Sequence, residues 1–283
     1  MRIDNSRYTS YLSNPELYRL VYEKNVSPKV VPFAFGRGIH MHTLAEARNK
    51  QLSSADTLVM TAKNLGISEK SRNIGDALFQ SFAKRYDGDD RFQLIYEDGK
   101  PLVEFEFEVQ IPGSPHSIVG RVDELLMYKD EPWVGDIKSA NAKSSEDKKK
   151  IEFGYSSQPL FYINAMRMLG YPVKGMLYRV VTEHVPPRHW VIETKRTDYQ
   201  LANALRSIHQ VCEMIGTMKK TFGVDQPWPH PYHSYPCNWT TFDGKSGCEY
   251  HGLCGRPSAD WSEEDLQEFT TRIDHLDVMK EQK

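Results

Sequence analysis

The chain has 283 residues, 39% of them hydrophobic and 26% charged, and that mixture excludes an intrinsically disordered chain because it can bury a sizeable core. No apolar run approaches the roughly 18 residues of a membrane span, and no secretory leader opens the chain, so the expected location is the cytoplasm. Thirty-six Lys and Arg against 38 Asp and Glu give a formal charge of −2, which excludes a coat of nucleic acid by charge alone but permits a local basic groove.

Residues 8–23 carry an aromatic and leucine face and predict one helix, with Pro15 tolerated in a first turn after Ser13 or Asn14. A second helix is expected from Gly36–Gly38 onward, carrying His40, Leu44 and Ala47. Residues 54–86 predict further helix, with Gly66 and Gly75 as breaks. The pattern changes near residue 101. Val103, Phe105, Phe107, Val109 and Ile111 alternate with Glu104, Glu106, Glu108 and Gln110, which is the period of a strand with one buried face. Residues 117–128 and 133–140 predict two more strands, joined by a turn at Lys129–Pro132, so the three form an antiparallel meander. The charged run Ser144–Lys150 is expected as a solvated loop. A helix at 157–169, two strands at 174–184 and 188–196 joined at Pro186–Pro187, and a long amphipathic helix from Thr197 or Asp198 to about Lys220 follow. Ser262 with Asp265 three residues on opens a C-terminal helix.

The expected class is α+β around a central mixed sheet flanked by helices. Its parts are a mostly helical segment at 1–100, a core at 101–221, and a Cys-containing loop with the last helix at 222–283, all expected within one structural domain.

The most informative stretch runs from Gly120 to Lys138. Asp136 and Lys138 are two residues apart on one strand and so project from one face, while Ile137 points to the other. The preceding strand delivers Asp123 after Gly120-Arg121-Val122, and the short turn lets both acids meet at one sheet edge. Two carboxylates so held make an oxygen-rich site for Mg²⁺ or Mn²⁺. A lysine beside them can orient a water or offset charge developing on a phosphate. Gln158 and Tyr162 share one face of the following helix and offer a donor, acceptors and a ring. His40 could complete a metal shell and favour Mn²⁺. His42, about 200° further round the helix, is set aside.

In chain order, Gly36 to His40 (G-x-x-x-H), Gly120 to Asp123 (G-x-x-D), Asp136 to Lys138 (D-x-K) and Gln158 to Tyr162 (Q-x-x-x-Y) resemble the motifs of the RecB-like branch of the PD-(D/E)xK nucleases. That branch includes phage-encoded exonucleases and exonucleases of the CRISPR-adaptation and AddB types. The similarity spans about residues 8–255. It implies a restriction-endonuclease-like core and a metal-dependent deoxyribonuclease. It further implies that His40, Asp123, Asp136 and the Ile137 carbonyl hold the metal and that Lys138 assists the attacking water. Gln158 and Tyr162 would position DNA or the lysine, and Glu106 is a candidate accessory acid.

Of the four cysteines, Cys212 stands apart, while Cys237, Cys248 and Cys254 fall within 18 residues. Without a leader, such a group favours metal over disulfides. The trio is similar to the late cysteines of the iron–sulfur cluster found in CRISPR-type and AddB-type relatives. The first cysteine of that cluster has its counterpart at Asn14, so a four-thiolate set lacks one ligand. Three options stay open: a cluster with a non-cysteine ligand, Zn²⁺ on the trio plus His233 or His251, or small buried residues with no metal.

The expected activity is exonucleolytic hydrolysis of DNA from free ends with low sequence specificity, since contacts would be mostly to phosphate. Candidate groove residues are Arg37, Arg121, Lys143 and Lys148–Lys150. The alternatives are a site-specific or structure-specific endonuclease of the same superfamily, and a non-catalytic DNA-binding or assembly module. Phage recombination (in the host cytoplasm), host repair and CRISPR adaptation are all compatible settings.

Overall fold

A computed structural model describes residues 1–29, 33–54, 56–57, 61, 67–229, 250, 253–267 and 269–271, with backbone alone for 33, 34 and 271. Cys237, Cys248, His233 and His251 lie outside the described residues. Among the described residues, no helix is long and apolar enough to cross a membrane. Two compact units emerge from the chain's contacts: Met1–Val30, Gln110–Val119 and Leu205–Lys283 form one, Val31–Val109 and Gly120–Ala204 the other.

In the first unit, β1 (Arg2–Ile3) precedes α1 (Asn5–Ser13), whose N-cap Asp4 accepts from the Arg7 N–H at 2.7 Å. The single helix expected over 8–23 is broken at Asn14. Asn14 Oδ1 accepts from the N–H groups of Glu16 (3.0 Å) and Leu17 (3.2 Å) and so starts α2 (Pro15–Tyr18), which runs on as a π-helical turn, Arg19–Glu23. Asn14, standing where the resemblance calls for cysteine, thus serves as a helix cap. Glu16 and Arg19 form a fully buried ion pair, with Glu16 also accepting from the N–H of Trp228 at 2.7 Å and of Gly255 at 3.2 Å. Four donors around one carboxylate compensate its desolvation. The short strand β2 (Val26–Pro28) backs a cluster of Leu20, Val26, Tyr250 and Leu253, against which Cys254 packs.

The second unit holds α3 (Phe33–Asn49), α4 (Glu69–Tyr86), β3 (Gln93–Leu94), β4 (Tyr96–Glu97), β5 (Lys100–Pro101) and most of β6 (Val103–Gln110). It continues with β7 (Ser117–Tyr128) from Gly120, β8 (Glu131–Ala140), α5 (Glu146–Tyr155), α6 (Gln158–Met168), β9 (Met176–Thr182) and β10 (His189–Thr194). The helix α7 (Asp198–Phe222) passes into the first unit, and the chain there includes α8 (Glu263–Leu266) with the expected Ser262–Asp265 capping box and β11 (Phe269–Thr271), paired with β2.

The β7–β8 hairpin turns through Lys129 (φ 55°) and Asp130 (φ 60°), the two left-handed residues a two-residue turn needs. β8 pairs parallel with β9, from Val134↔Met176 to Ala140↔Thr182, and β9 pairs antiparallel with β10. A parallel neighbour requires a crossover, which α5 and α6 supply. Every residue of β9 is buried, as expected of a parallel strand covered on both faces. Arg179, within that apolar run, is paired with Glu124, and its guanidinium lies 5.0–5.5 Å from the ring centroids of Phe82, Phe92 and Tyr86.

Met41 and Ala45 of α3, Leu78, Phe82 and Tyr86 of α4, and Ile137 and Val181 of the sheet make one core cluster. Gly75 does not break α4. A Cβ there would stand 3.1 Å from both the Arg37 carbonyl and His40 Cδ2, so glycine allows the two helices to approach closely. The charged run expected as a loop is largely helix α5, capped by Ser145 and braced by Lys150 with Glu146. The architecture is α+β around a mixed sheet.

Candidate active site

The β7–β8 ladder runs from Tyr128↔Glu131 to Glu124↔Gly135 and stops one residue short of Asp123 and Asp136. Both strands carry glycine near this point for a steric reason. A Cβ on Gly120 would meet Phe107 Cζ at 2.7 Å, and one on Gly135 would meet Glu124 Cγ at 2.6 Å. Where the ladder ends, the Ile137 N–H donates to Asp123 Oδ2 at 3.1 Å instead of to a main-chain carbonyl. The Ile137 side chain is turned into the core.

Lys138 Nζ lies 2.8 Å from Asp136 Oδ1 and 2.7 Å from its Oδ2, and Gln158 Nε2 donates to Oδ1 at 3.3 Å. Asp123, Asp136 and Lys138 are thus brought together as their strand spacing suggested, and Gln158 joins them through Asp136. Tyr162 sits on the same helix, edge-on to Phe107 with ring centroids 5.8 Å apart.

The histidines are reversed relative to expectation. His40 Nε2 bonds Asp76 Oδ1 at 2.9 Å, and its ring is buried against α4. His42 Nδ1 instead lies 3.2 Å from Asp123 Oδ2. The reason is the phase of α3. Met41 enters the core, so the flanking histidines face opposite ways. A signal was present, because Gly38 to His42 also spells G-x-x-x-H.

The accessory acid shifts in the same way. Glu106 is exposed, whereas Glu104, with a left-handed φ of 48°, buries its carboxylate 2.7 Å from Arg121 Nε. That one residue breaks the alternation at the start of β6, which a period of two cannot anticipate. Glu104 and Arg121 line a cavity of about 550 Å³ with His42, Glu46, Asp123 and Lys138. Arg37 is not available to such a groove, being buried and ion-paired with Glu183. Lys143 is exposed in the loop after β8. Lys148 and Lys150 are exposed on α5, and Lys149 lies at the cavity rim paired with Glu152.

Burial pushes the Asp136 carboxyl up to about 6, against the pull of Lys138 and with added repulsion from Asp123. Burial acts on Asp123 too, but His42, Lys138 and the Ile137 N–H outweigh it and hold that carboxyl below the ordinary range. Glu104 is pushed up to about 7 by burial, with Arg121 opposing and Asp123 adding to the rise.

A profile of the PD-(D/E)XK nuclease superfamily matches residues 5–255, which is most of the chain. The chain belongs to the PD-(D/E)XK nuclease superfamily. Among solved structures, a protein from Eubacterium rectale described as a candidate exonuclease is similar over 85% of this chain and 89% of its own, at 16% identity and a TM-score of 0.54. That likeness supports the restriction-endonuclease-like fold. A protein named SSO0001 is more distant, with 14% identity, coverage of 62% and 74%, and a TM-score of 0.31. No curated protein matches.

Nucleases of the PD-(D/E)XK superfamily use divalent metals, and the donors here fit such an ion. Carboxylate oxygens from Asp123, Glu104 and Glu46 line the cavity with one imidazole, and Asp136 lies buried behind Lys138; such an oxygen-rich set suits Mg²⁺ or Mn²⁺. Asp123 repels the Asp136 carboxylate, and a bound cation would relieve that repulsion.

Proposed function

We propose that the chain is a divalent-metal-dependent deoxyribonuclease acting as an exonuclease with little sequence preference. The observation that carries this reading is the joining of Asp123, Asp136 and Lys138 around the Ile137 N–H at the end of the β7–β8 ladder. Asp123, Asp136 and His42 would hold the cation. When bound, that ion supplies positive charge to a scissile phosphate and makes water more acidic.

Lys138, held on Asp136, can donate to an attacking water and place charge near a phosphate oxygen. Gln158 keeps the Asp136 carboxylate in one orientation. Arg121 and Lys143 offer contacts to phosphate, which position the strand without reading bases. The choice of exonuclease over endonuclease is supported by the motif resemblance and by the similarity to a protein described as a candidate exonuclease.

The test uses linear and covalently closed circular duplex DNA with Mn²⁺ or Mg²⁺, for wild type and Asp136→Asn. The expected result is degradation of linear DNA, intact circles and an inactive, folded variant. Cutting of closed circles would overturn the exonuclease assignment, and full activity of Asp136→Asn would overturn the site.

A further inference from the structure

In the first unit, the turn after β6 places His116 against α7. Gly113 takes φ 70°, and the turn closes through Ile111 N–H to the His116 carbonyl (2.9 Å) and Ser114 N–H to the Ile111 carbonyl (3.0 Å). On α7, His209 and Glu213 are four residues apart and therefore share a face. His116 Nε2 lies 2.6 Å from Glu213 Oε1, and one ligand atom from each of His116, His209 and Glu213 lies within 4.8 Å of the others. The two rings are 5.5 Å apart between centroids.

The outer atoms of both rings are also held. His116 Nδ1 is 2.9 Å from the Met1 amino group, and His209 Nδ1 is 2.7 Å from Ser114 Oγ. Ser114 Oγ can accept from the Nδ1–H of His209, the outer hydrogen bond that orients a ligating ring, while the Met1 ammonium donates to His116 Nδ1 and fixes that ring in place. His116 is nearly buried while Glu213 is 57% exposed, so the group has a closed side and an entry side.

We propose that His116, His209 and Glu213 form a second metal site, selective for Zn²⁺, Co²⁺ or Ni²⁺ over Mg²⁺, that clips the 111–116 turn to α7. The chemistry follows from the donors: two imidazoles and one carboxylate suit borderline transition ions, whereas the carboxylate-rich cavity of the second unit suits harder ones. Tetrahedral bonds of about 2.1 Å place ligands roughly 3.4 Å apart, so small side-chain rotations close the set. To bind the ion His116 Nε2 gives up the proton it donates to Glu213, and the Met1 ammonium can pass one to Nδ1 so that the ring stays neutral, with one proton released in all.

The experiment titrates Co²⁺ and Zn²⁺ into the full-length, metal-stripped, tag-free protein, reading cobalt ligand-field bands, heat and bound zinc by elemental analysis. Wild type should bind one more equivalent than His209→Ala or Glu213→Gln, and Asp136→Asn should keep that equivalent. Zinc should raise the melting temperature of wild type more than that of His209→Ala, and Mg²⁺ should raise both equally. Equal zinc stoichiometry and affinity in wild type, His209→Ala and Glu213→Gln would overturn the proposal.

Discussion

Exchanging the two histidines of α3 for alanine, one at a time, separates a site role from a packing role. His42 is half-buried, lines the cavity and touches Asp123 at 3.2 Å. Without it, Asp123 keeps the Ile137 N–H at 3.1 Å but loses its imidazole partner. Loss of a ligand or an orienting partner at a metal site costs about 10–100-fold in affinity or activity, equivalent to about 1.4–2.7 kcal/mol. Its partial exposure keeps the stability cost of His42→Ala below about 1 kcal/mol. His40 is 5% exposed and packs against α4 with its Asp76 bond. Truncating it leaves a cavity worth about 2–4 kcal/mol, a fall of roughly 5–15 °C in melting temperature. Thermal denaturation and Mn²⁺-dependent hydrolysis of linear DNA, measured well below both melting points, should therefore cross over. His42→Ala should be stable and slow, His40→Ala less stable and close to wild-type in rate. A His40→Ala variant slower than His42→Ala while folded would refute the assignment.

Other outcomes follow from contacts elsewhere. Glu16→Gln should cost about 3–5 kcal/mol in urea denaturation, because it leaves Arg19 charged and buried. The double variant Glu16→Leu, Arg19→Met should cost clearly less than the sum of the singles, and simple additivity would contradict a coupled pair. Gly120→Ala should destabilise by about 1–3 kcal/mol through its clash with Phe107, and Phe107→Leu in the same chain should recover part of the loss. Glu104→Gln should slow hydrolysis by about tenfold, whereas Glu106→Gln should stay within about twofold of wild type. Equal losses at the two positions would show that the left-handed turn at Glu104 has no bearing on activity.

The β7–β8 hairpin and its acids were legible because alternation fixes which residues share a face. Asp136 and Lys138 had to project together, and a hairpin turning at Lys129–Asp130 had to bring Asp123 near them. The rotation of α3 was not legible, since G-x-x-x-H occurs twice in overlapping register. Only the entry of Met41 into the core and the fit of Gly75 against His40 decide between them. Arg37 reads as a surface cation until Glu183, far along the chain, buries it. The helix α5 escaped notice because it buries only Phe153 and shows no apolar stripe, its stability coming from the Ser145 cap and local ion pairs.

The most direct test of the central claim is the rate of linear-DNA hydrolysis by wild type, Asp123→Asn and Lys138→Ala, with saturating Mn²⁺ and again with EDTA, alongside circular dichroism to show that each is folded. Wild type should hydrolyse DNA only with metal, and each variant should lose at least about 100-fold, as when a group stabilising a transition state is removed. Metal-independent hydrolysis, or a folded Asp123→Asn variant that retains wild-type rate, would contradict the claim.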